Sequence, residues 1–378
     1  YGDHRDLHLS LRRQRQMCIR DSFYPAHAGK IKIKIEKGVK VIYNPKKPSP
    51  PEGCPTKLVL KEEFFIGPGE KEEEMISELS SFAVDGEGKI YILDRQESVI
   101  KVFDNKGKYL MKIGEKGQGP GEMNKPIGIK ITRKNELMVE DILNQRLIFF
   151  SLDGKFLRNL STGKILGLSG VIIDSKGNFI GRQLVPSGGK PKWEVKKFDS
   201  KLNPLFTIYS AEFQNPLQGK INPFSYLNYF EVDDRDFIYF GDCKDYEIKV
   251  FNPNGKLVKK IRKEYKPVKI SEKDKKEFFN RIPPEASMFK DRIEFPKYYP
   301  PYQSFLIADD GKLIVRTFEK GRKEGEYYYD IFDKEGRYIA KILFKGEIRI
   351  WKKNKLYSIE ENEEGFRILK CYRVLWKR

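Results

Sequence analysis

Residues 82–114, FAVDGEGKIYILDRQESVIKVFDNKGKYLMKIG, hold one unit of a pattern that this chain repeats. The unit contains four short stretches in which apolar and polar residues alternate, and Asp/Gly turns separate them. Alternation with a period of two predicts strands, and the turns predict hairpins between them. Residues 127–160 repeat the pattern. Because one unit cannot bury its own apolar faces, we expect the units to stack on each other.

The spacing within the units identifies further copies. In three of them an acidic residue ends the second strand and the third strand begins six residues later, as in Asp94/Ile100, Asp141/Leu147 and Asp242/Ile248. Two more copies, at residues 171–203 and 305–337, fit the pattern if their middle loops are longer. A sixth copy, at residues 347–374, ends without a fourth strand.

The missing strand can come from the other end of the repeat region. Residues 56–66, TKLVLKEEFFI, alternate as a strand should. Pairing them with the sixth copy would join both chain ends in one blade and remove the last free sheet edges. We therefore predict an all-β fold, a six-bladed β-propeller of four-stranded antiparallel blades closed by an N-terminal strand.

One segment departs from the repeat. Ser271 opens the amphipathic stretch SEKDKKEFFNRI, which Pro283 and Pro284 follow, and this order predicts a capped helix. We assign residues 271–302 to a short helical insertion between blades 4 and 5. An insertion of this length is typical of a functional loop or of a plug over one end of the channel.

The N-terminal region lacks the repeat. We expect residues 1–22 to be a non-native or disordered leader, since RQRQMCIRDS resembles translated adapter sequence; the natural start and any signal peptide would then be missing. Residues 23–55 are predicted to form an N-terminal strand and a Pro-rich linker, and residues 56–378 the propeller.

The chain is strongly basic. Its formal net charge is +19, from 73 Lys and Arg against 54 Asp and Glu, which favours acidic partners. The lysines are nevertheless spread through nearly every turn, as expected of a solvated surface with protected sheet edges. No apolar stretch is long enough for a transmembrane helix. The four cysteines show no metal-binding spacing, and free thiols are expected at Cys54, Cys243 and Cys371.

Candidate ligand-binding side chains follow the second strands, whose ends should meet around one mouth of the channel. They mix carboxylates with two arginines, which suits a polar or anionic ligand. The set is Asp94, Glu140, Asp141, Arg182, Gln183, Asp242, Arg316 and Glu360, with Tyr298 and Tyr299 from the insertion. The repeated aspartates have a structural alternative, because an Asp at a strand end commonly accepts backbone N–H groups of its own turn.

Histidine chemistry is disfavoured in the propeller. All three histidines, His4, His8 and His27, precede the first repeat, so neither a histidine-bound metal nor a Ser-His-Asp arrangement is available there. We expect no cofactor. A calcium site stays open as an alternative, because a hard cation needs only Asp, Glu and Asn oxygens, although Arg182 and Arg316 would oppose it.

The strings DGEGKIYILD, IKVFDNKGKYL and IGEKGQGPGEMNKP resemble the NHL-type six-bladed propellers, particularly bacterial exported proteins of this kind. The resemblance covers about residues 56–375 and implies the fold and export rather than a reaction. Fold alone does not identify function.

We expect a non-catalytic, exported and monomeric binding protein. Its ligand would be a polar or anionic peptide or glycan held on the channel-mouth face. Two alternatives stay open. A calcium-dependent lactonase or hydrolase would require a divalent ion ringed by carboxylate or amide oxygens. An RNA-binding NHL module would require clustered Lys and Arg with exposed aromatic side chains.

Overall fold

A computed structural model of the chain shows six sheets arranged around a central channel, which confirms the six-bladed β-propeller. The structure describes residues 29–69, 71, 73–186, 190–213, 219–225, 228–282 and 284–377, and the backbone of Gln16–Cys18. The leader predicted at residues 1–22 lies almost wholly outside the described residues.

The first three blades follow the predicted pattern of four antiparallel strands. Blade 1 consists of Leu79–Val84, Ile90–Asp94, Val99–Phe103 and Tyr109–Ile113. Blade 2 consists of Gly128–Ile131, Glu136–Asp141, Arg146–Ser151 and Phe156–Ser161. Blade 3 consists of Ser169–Ile173, Phe179–Val185, Lys192–Phe198 and Pro204–Glu212. A small parallel pair, Glu115–Lys116 and Glu122–Met123, and the 3-10 turn Ile142–Asn144 lie in connecting loops.

Blades 4 to 6 include segments from the N-terminal region. Blade 4 contains Tyr229–Val232, Ile238–Gly241, Glu247–Phe251 and Leu257–Lys263, then Val39–Asn44 and Lys32–Glu36. Blade 5 consists of Ser304–Ile307, Leu313–Lys320, Glu326–Phe332 and Tyr338–Lys345. Blade 6 consists of Glu347–Lys352, Lys355–Glu361, Arg367–Lys377 and Lys57–Ile66, with Gln16–Cys18 on its outer edge.

The first strand of each blade lies nearest the channel. First strands of several neighbouring blades contact each other. A cavity of 600 Å³ in the channel is lined by residues of five of these strands, including Ser80, Lys130, Glu231, Leu306 and Arg349. Side chains at the ends of the first and second strands therefore surround the channel mouths.

The apolar cores lie between the blades. The described residues form six buried clusters, and each cluster joins two neighbouring blades of the ring. Between blades 1 and 2, for example, Tyr91 and Ile100 pack with Leu137 and Ile148. Alternation of side chains along each strand supplies one apolar face to each neighbour, which explains the period of two in the sequence.

The ring closes as the sequence predicts. Lys57–Ile66 pairs antiparallel with Arg367–Lys377, so the fourth strand of blade 6 comes from the N-terminal side of the chain. Leu60 stands opposite Val374 in this pairing, and both are buried in the core shared with blade 5. This pairing holds the first and last parts of the propeller in one sheet.

An N-terminal hairpin extends blade 4, a position that the sequence alone did not indicate. Val39–Asn44 runs parallel to Leu257–Lys263. The Asn44 amide donates to the carbonyl oxygens of Arg262 and Gly336, each at 3.0 Å, and its oxygen accepts the Tyr338 N–H at 2.8 Å. Asn44 is 2% exposed, so one buried amide ties the hairpin to blades 4 and 5.

The predicted helix is present between blades 4 and 5. Glu272–Asn280 is an α-helix, and the 3-10 helix Pro284–Arg292 follows it. Ser271 and Asp274 form a capping box at the helix N-terminus. Among the described residues, no helix combines the length and the apolar content needed to cross a membrane.

Aromatic packing and ion pairs hold this insertion against the propeller. Phe224 contacts Phe278 of the helix, Phe295 and Tyr299 within 6.5 Å between ring centres. Lys320 of blade 5 forms ion pairs with Asp274 and with Glu277 of the same helix. The insertion is therefore a packed part of the domain at the edge of blade 5.

Replacing Leu60 by alanine tests whether the strand Lys57–Ile66 closes the ring of blades. Leu60 is fully buried, so Leu60→Ala should lower the free energy of unfolding by about 2–5 kcal/mol through lost packing and a cavity. Lys57→Ala, at an exposed position of the same strand, is the matched control and should change it by less than about 0.5 kcal/mol. Urea denaturation measures both. Equal effects of the two variants would contradict the closing role of this strand.

Candidate functional site

The two faces of the propeller differ in their loops. Turns between first and second strands, and between third and fourth, lie on one face; Asp85 there accepts the N–H groups of Glu87 and Lys89. Loops between second and third strands, and the connections between blades, lie on the other. We call this second face the mouth face, and all the predicted site residues in the second strands lie toward it.

Asp94 and Asp141 are held by loops of the mouth face. Asp94 is fully buried and accepts four backbone N–H groups, from Ser77, Glu78, Gln96 and Glu97. Asp141 accepts the N–H of Asn124 at 3.0 Å and pairs with the Arg146 guanidinium at 3.0 Å. The bonds from Gln96 and Glu97 to Asp94 are those of the structural alternative, an Asp that accepts the N–H groups of its own turn. Asp141 accepts no backbone N–H of its own turn among the described residues, and its bond from Asn124 joins the turn to the connection that precedes blade 2.

Glu140 joins two blades. Its carboxylate accepts the N–H groups of Gly170 at 2.8 Å and Val171 at 3.0 Å, both in the first strand of blade 3. Glu140 is 4% exposed, and burial raises the pKa of its carboxyl group, against the attraction of Lys130 and Arg182. The side chain therefore contributes mainly to the contact between blades 2 and 3.

Three other predicted residues have partners inside their blades. Gln183 is buried and hydrogen-bonds Glu194 in the adjacent strand. Asp242 is partly buried and lies 3.7 Å from the Lys249 ammonium. Glu360 accepts hydrogen bonds from Ser358 at 2.8 Å and Tyr372 at 2.6 Å. Of these three, Glu360 also lines an open groove on the mouth face.

The two predicted arginines lie on either side of Tyr229, the residue that begins the first strand of blade 4. Arg182 donates to the Asn228 side chain and carbonyl oxygen at 2.8 Å each. Both Arg182 and Arg316 act electrostatically on the Tyr229 hydroxyl. Burial outweighs them and raises the pKa of Tyr229 to about 12, so the phenol is neutral at physiological pH.

Arg316 is incompletely bonded. Its guanidinium lies 4.6 Å from the centre of the Tyr327 ring and 3.7 Å from the Glu347 carboxylate. Its Nε is buried and has no hydrogen-bond partner among the described residues. Arg316 lines a cavity of 420 Å³ at the channel mouth together with Tyr229, Gln303 and Glu347. We call this space the mouth cavity.

A larger groove continues from the mouth cavity. It measures 780 Å³ and lies between the insertion helix, the second-to-third-strand loop of blade 5, and blade 6. Gln303, Arg316 and Glu347 line both spaces. We call the larger space the mouth-face groove, and it brings together Arg316, Glu360 and the insertion, which the sequence had linked only by topology.

Five cations of the groove make no ion pair with any described residue, and all five are exposed. They are Arg281, Arg322, Lys323, Lys345 and Arg367. Three carboxylates of the groove, Glu324, Glu326 and Glu361, also make no ion pair with a described residue. Glu277 pairs with Lys273 and Lys320, and Glu347 pairs with Arg316 and Arg349. The groove therefore presents more accessible positive than negative charge to solvent.

The predicted tyrosines of the insertion lie elsewhere. Tyr299 stacks on Phe318 with 4.4 Å between ring centres, and burial raises the pKa of its hydroxyl. Tyr298 is 42% exposed, with the Lys297 ammonium over its ring. Neither lines the mouth cavity or the groove. Tyr299 acts in packing the insertion.

Metal-ligating and thiol side chains are the remaining candidates in the described part of the chain. There, no group of three or more His, Cys, Asp or Glu side chains is placed to share a metal ion. Cys54, Cys243 and Cys371 are free thiols. Burial raises the pKa of Cys371 to about 12 and raises that of Cys243 as well, so both thiols are protonated at neutral pH.

Comparisons with known proteins agree with the fold. Residues 69–228 match the family described as 6-bladed beta-propeller. A Bacteroides fragilis protein provisionally named an exported protein superposes with a TM-score of 0.56 at 15% identity, covering 89% of this chain and 100% of its own. A member of the duf4221 family from Bacteroides vulgatus superposes with a TM-score of 0.55 at 15% identity, covering 86% of this chain and 100% of its own. No curated protein sequence matches the chain.

The Glu140 carboxyl group predicts a pH effect on stability. Its pKa is raised in the folded state, so its contribution is complete below about pH 4.3, the unfolded value, and is lost as the pH rises through the folded pKa. Glu140→Gln keeps an acceptor oxygen and does not titrate.

We therefore expect the free energy of unfolding of the natural protein, relative to that of Glu140→Gln, to fall as the pH rises from about 4 through the raised pKa of the folded state. Urea denaturation of both proteins at each pH measures the difference. A difference that stays constant across this range would contradict the raised pKa.

Proposed function

We propose that this chain is an NHL-like, exported and non-catalytic binding propeller whose mouth-face groove holds an anionic peptide or glycan. The observation that carries the proposal is the set of five exposed cations that line one groove without an ion-pair partner among the described residues. Scattered surface lysines would serve solubility on every face. Convergence of five unpaired cations on one concave space instead favours an anionic ligand.

The shape of the groove supports the same proposal. Its 780 Å³ falls within the range of about 300–1,000 Å³ that is usual for small-ligand sites. The packed insertion forms one wall, and two blades form the other, so the cations are held on folded elements. An anionic group can displace water from several cations at once, which strengthens each charge-assisted hydrogen bond.

Export is supported by the resemblance to the Bacteroides fragilis protein, which carries that provisional name.

Arginine variants in the groove test the function. Tetragalacturonate and hexa-L-glutamate serve as anionic probes, and isothermal titration calorimetry measures their affinity. Arg322→Ala and Arg367→Ala should each weaken binding of the tighter probe by about 5- to 20-fold, through loss of a charge-assisted hydrogen bond of about 1–2 kcal/mol. Affinity for the natural protein should also fall steeply as salt concentration rises.

Arg235→Ala is the matched control. Arg235 is an exposed arginine in a turn of blade 4, on the face opposite the groove, and makes no ion pair with any described residue. Its variant should bind the probe as the natural protein does. Failure of both probes to bind the natural protein, or an equal loss in Arg235→Ala, would overturn the groove as the ligand site.

A further inference from the structure

The lining of the mouth-face groove distinguishes between the two ligand classes. Tyr327 and Ile359 supply its only large apolar side chains among the described residues; nearly all the others are charged or amide groups or glycine. Peptides are usually bound through apolar side-chain pockets or by pairing with an exposed sheet edge. The groove has no row of apolar pockets, and loops and strand ends line it rather than the length of a sheet edge.

A sugar chain fits this lining better. Each ring carries several hydroxyl groups, which both donate and accept hydrogen bonds. The groove interleaves donors such as Arg322 and Arg367 with acceptors such as Glu324 and Glu361, all of them exposed. Carboxylates that would repel a purely anionic peptide can accept hydrogen bonds from hydroxyl groups.

The mouth cavity adds a position for one anionic group. The Arg316 Nε has no hydrogen-bond partner among the described residues, and the guanidinium reaches Glu347 only at 3.7 Å. The Tyr229 hydroxyl, neutral and half-buried, lies within the field of the same arginine and donates to no described residue. The 17% of the Arg316 side chain that is exposed and the Tyr229 hydroxyl together offer donors to a group that enters from the groove.

The charge around Arg316 limits what that group can be. Glu347 and Glu231 also line the mouth cavity, so a doubly charged phosphate would meet two carboxylates. A singly charged carboxylate meets less repulsion and matches the planar fork of a guanidinium. A uronic acid ring carries such a carboxylate beside its hydroxyl groups.

We propose that the ligand is an acidic oligosaccharide, and that Arg316 and the Tyr229 hydroxyl bind the carboxylate of one uronic acid ring at the channel mouth. This inference rests on the proposed function and names the ligand class of the same site. The remaining rings lie along the mouth-face groove, where the five exposed cations contact further carboxylates and hydroxyl groups.

Three probes of similar length test the ligand class by calorimetry: tetragalacturonate, its full methyl ester and hexa-L-glutamate. The natural protein should bind tetragalacturonate about 10-fold or more tighter than either of the others. Hexa-L-glutamate binding as tightly as tetragalacturonate would overturn the glycan assignment. If the groove variants still weakened the binding of both tetragalacturonate and hexa-L-glutamate, the proposed function would stand. If none of the three probes bound, both the glycan assignment and the proposed function would be overturned.

Two variants test whether Arg316 and Tyr229 bind a carboxylate in the mouth cavity. Arg316→Gln should weaken tetragalacturonate binding by about 10-fold or more but leave the affinity for the methyl ester unchanged, so the acid-to-ester ratio falls. Tyr229→Phe removes only the hydroxyl and should reduce the same ratio by about 3- to 5-fold. A variant that was partly unfolded would lose affinity for the acid and the methyl ester alike, so the acid-to-ester ratio would not change.

Arg337→Gln is the control for charge. Arg337 belongs to the same blade but lies in the turn on the opposite face, where it pairs with Asp333 at 2.6 Å. This variant should retain the natural acid-to-ester ratio. An Arg316→Gln protein with the natural ratio, or an Arg337→Gln protein with the same loss as Arg316→Gln, would overturn the assignment of the carboxylate to Arg316.

Discussion

Packing between neighbouring blades is the interaction on which the rest of this structure depends. Each of the six buried clusters draws its side chains from two adjacent sheets, and none belongs to one sheet alone. A blade with one neighbour would expose an apolar face to water, at about 25 cal/mol for each Å². The ring must therefore close, and Lys57–Ile66 closes it by completing blade 6.

Closure also determines where polar groups can lie. Strand ends from all the blades meet around the channel, so carboxylates and arginines that are far apart in the chain become neighbours. Most of them form hydrogen bonds with one another or with the backbone, as Asp94 and Glu140 do. Arg316 is different, because its neighbours are a tyrosine ring and a carboxylate at 3.7 Å. This part of the mouth face therefore differs from the rest, because the Arg316 Nε lacks a hydrogen-bond partner among the described residues and the side chain lies beside a groove lined with unpaired cations.

The repeats made most of the architecture predictable. Period-two alternation and the fixed offset after Asp94, Asp141 and Asp242 predicted four-stranded blades, because both depend on local geometry. The place of Val39–Asn44 beside blade 4 was not predictable. It depends on parallel edge pairing and on the buried Asn44 amide, which bonds residues more than 200 positions away.

The candidate site was predictable only in part. Arg182 and Arg316 attracted attention because they interrupt the repeat, and Tyr229 lies between them. The groove cations were missed, since Arg281 caps a helix, Arg322 lies in a loop and Arg367 begins a strand, with no shared spacing. Tyr299 looked available for ligands, but its ring stacks on Phe318. Only the folded chain shows which aromatic residues the insertion uses for its own packing.

A crystal structure of the protein with bound tetragalacturonate would show directly whether the mouth-face groove is the ligand site. We expect sugar density along the groove, with one carboxylate within hydrogen-bond distance of Arg316 and of the Tyr229 hydroxyl. Sugar bound on the opposite face, or in the groove with no carboxylate at Arg316, would contradict it.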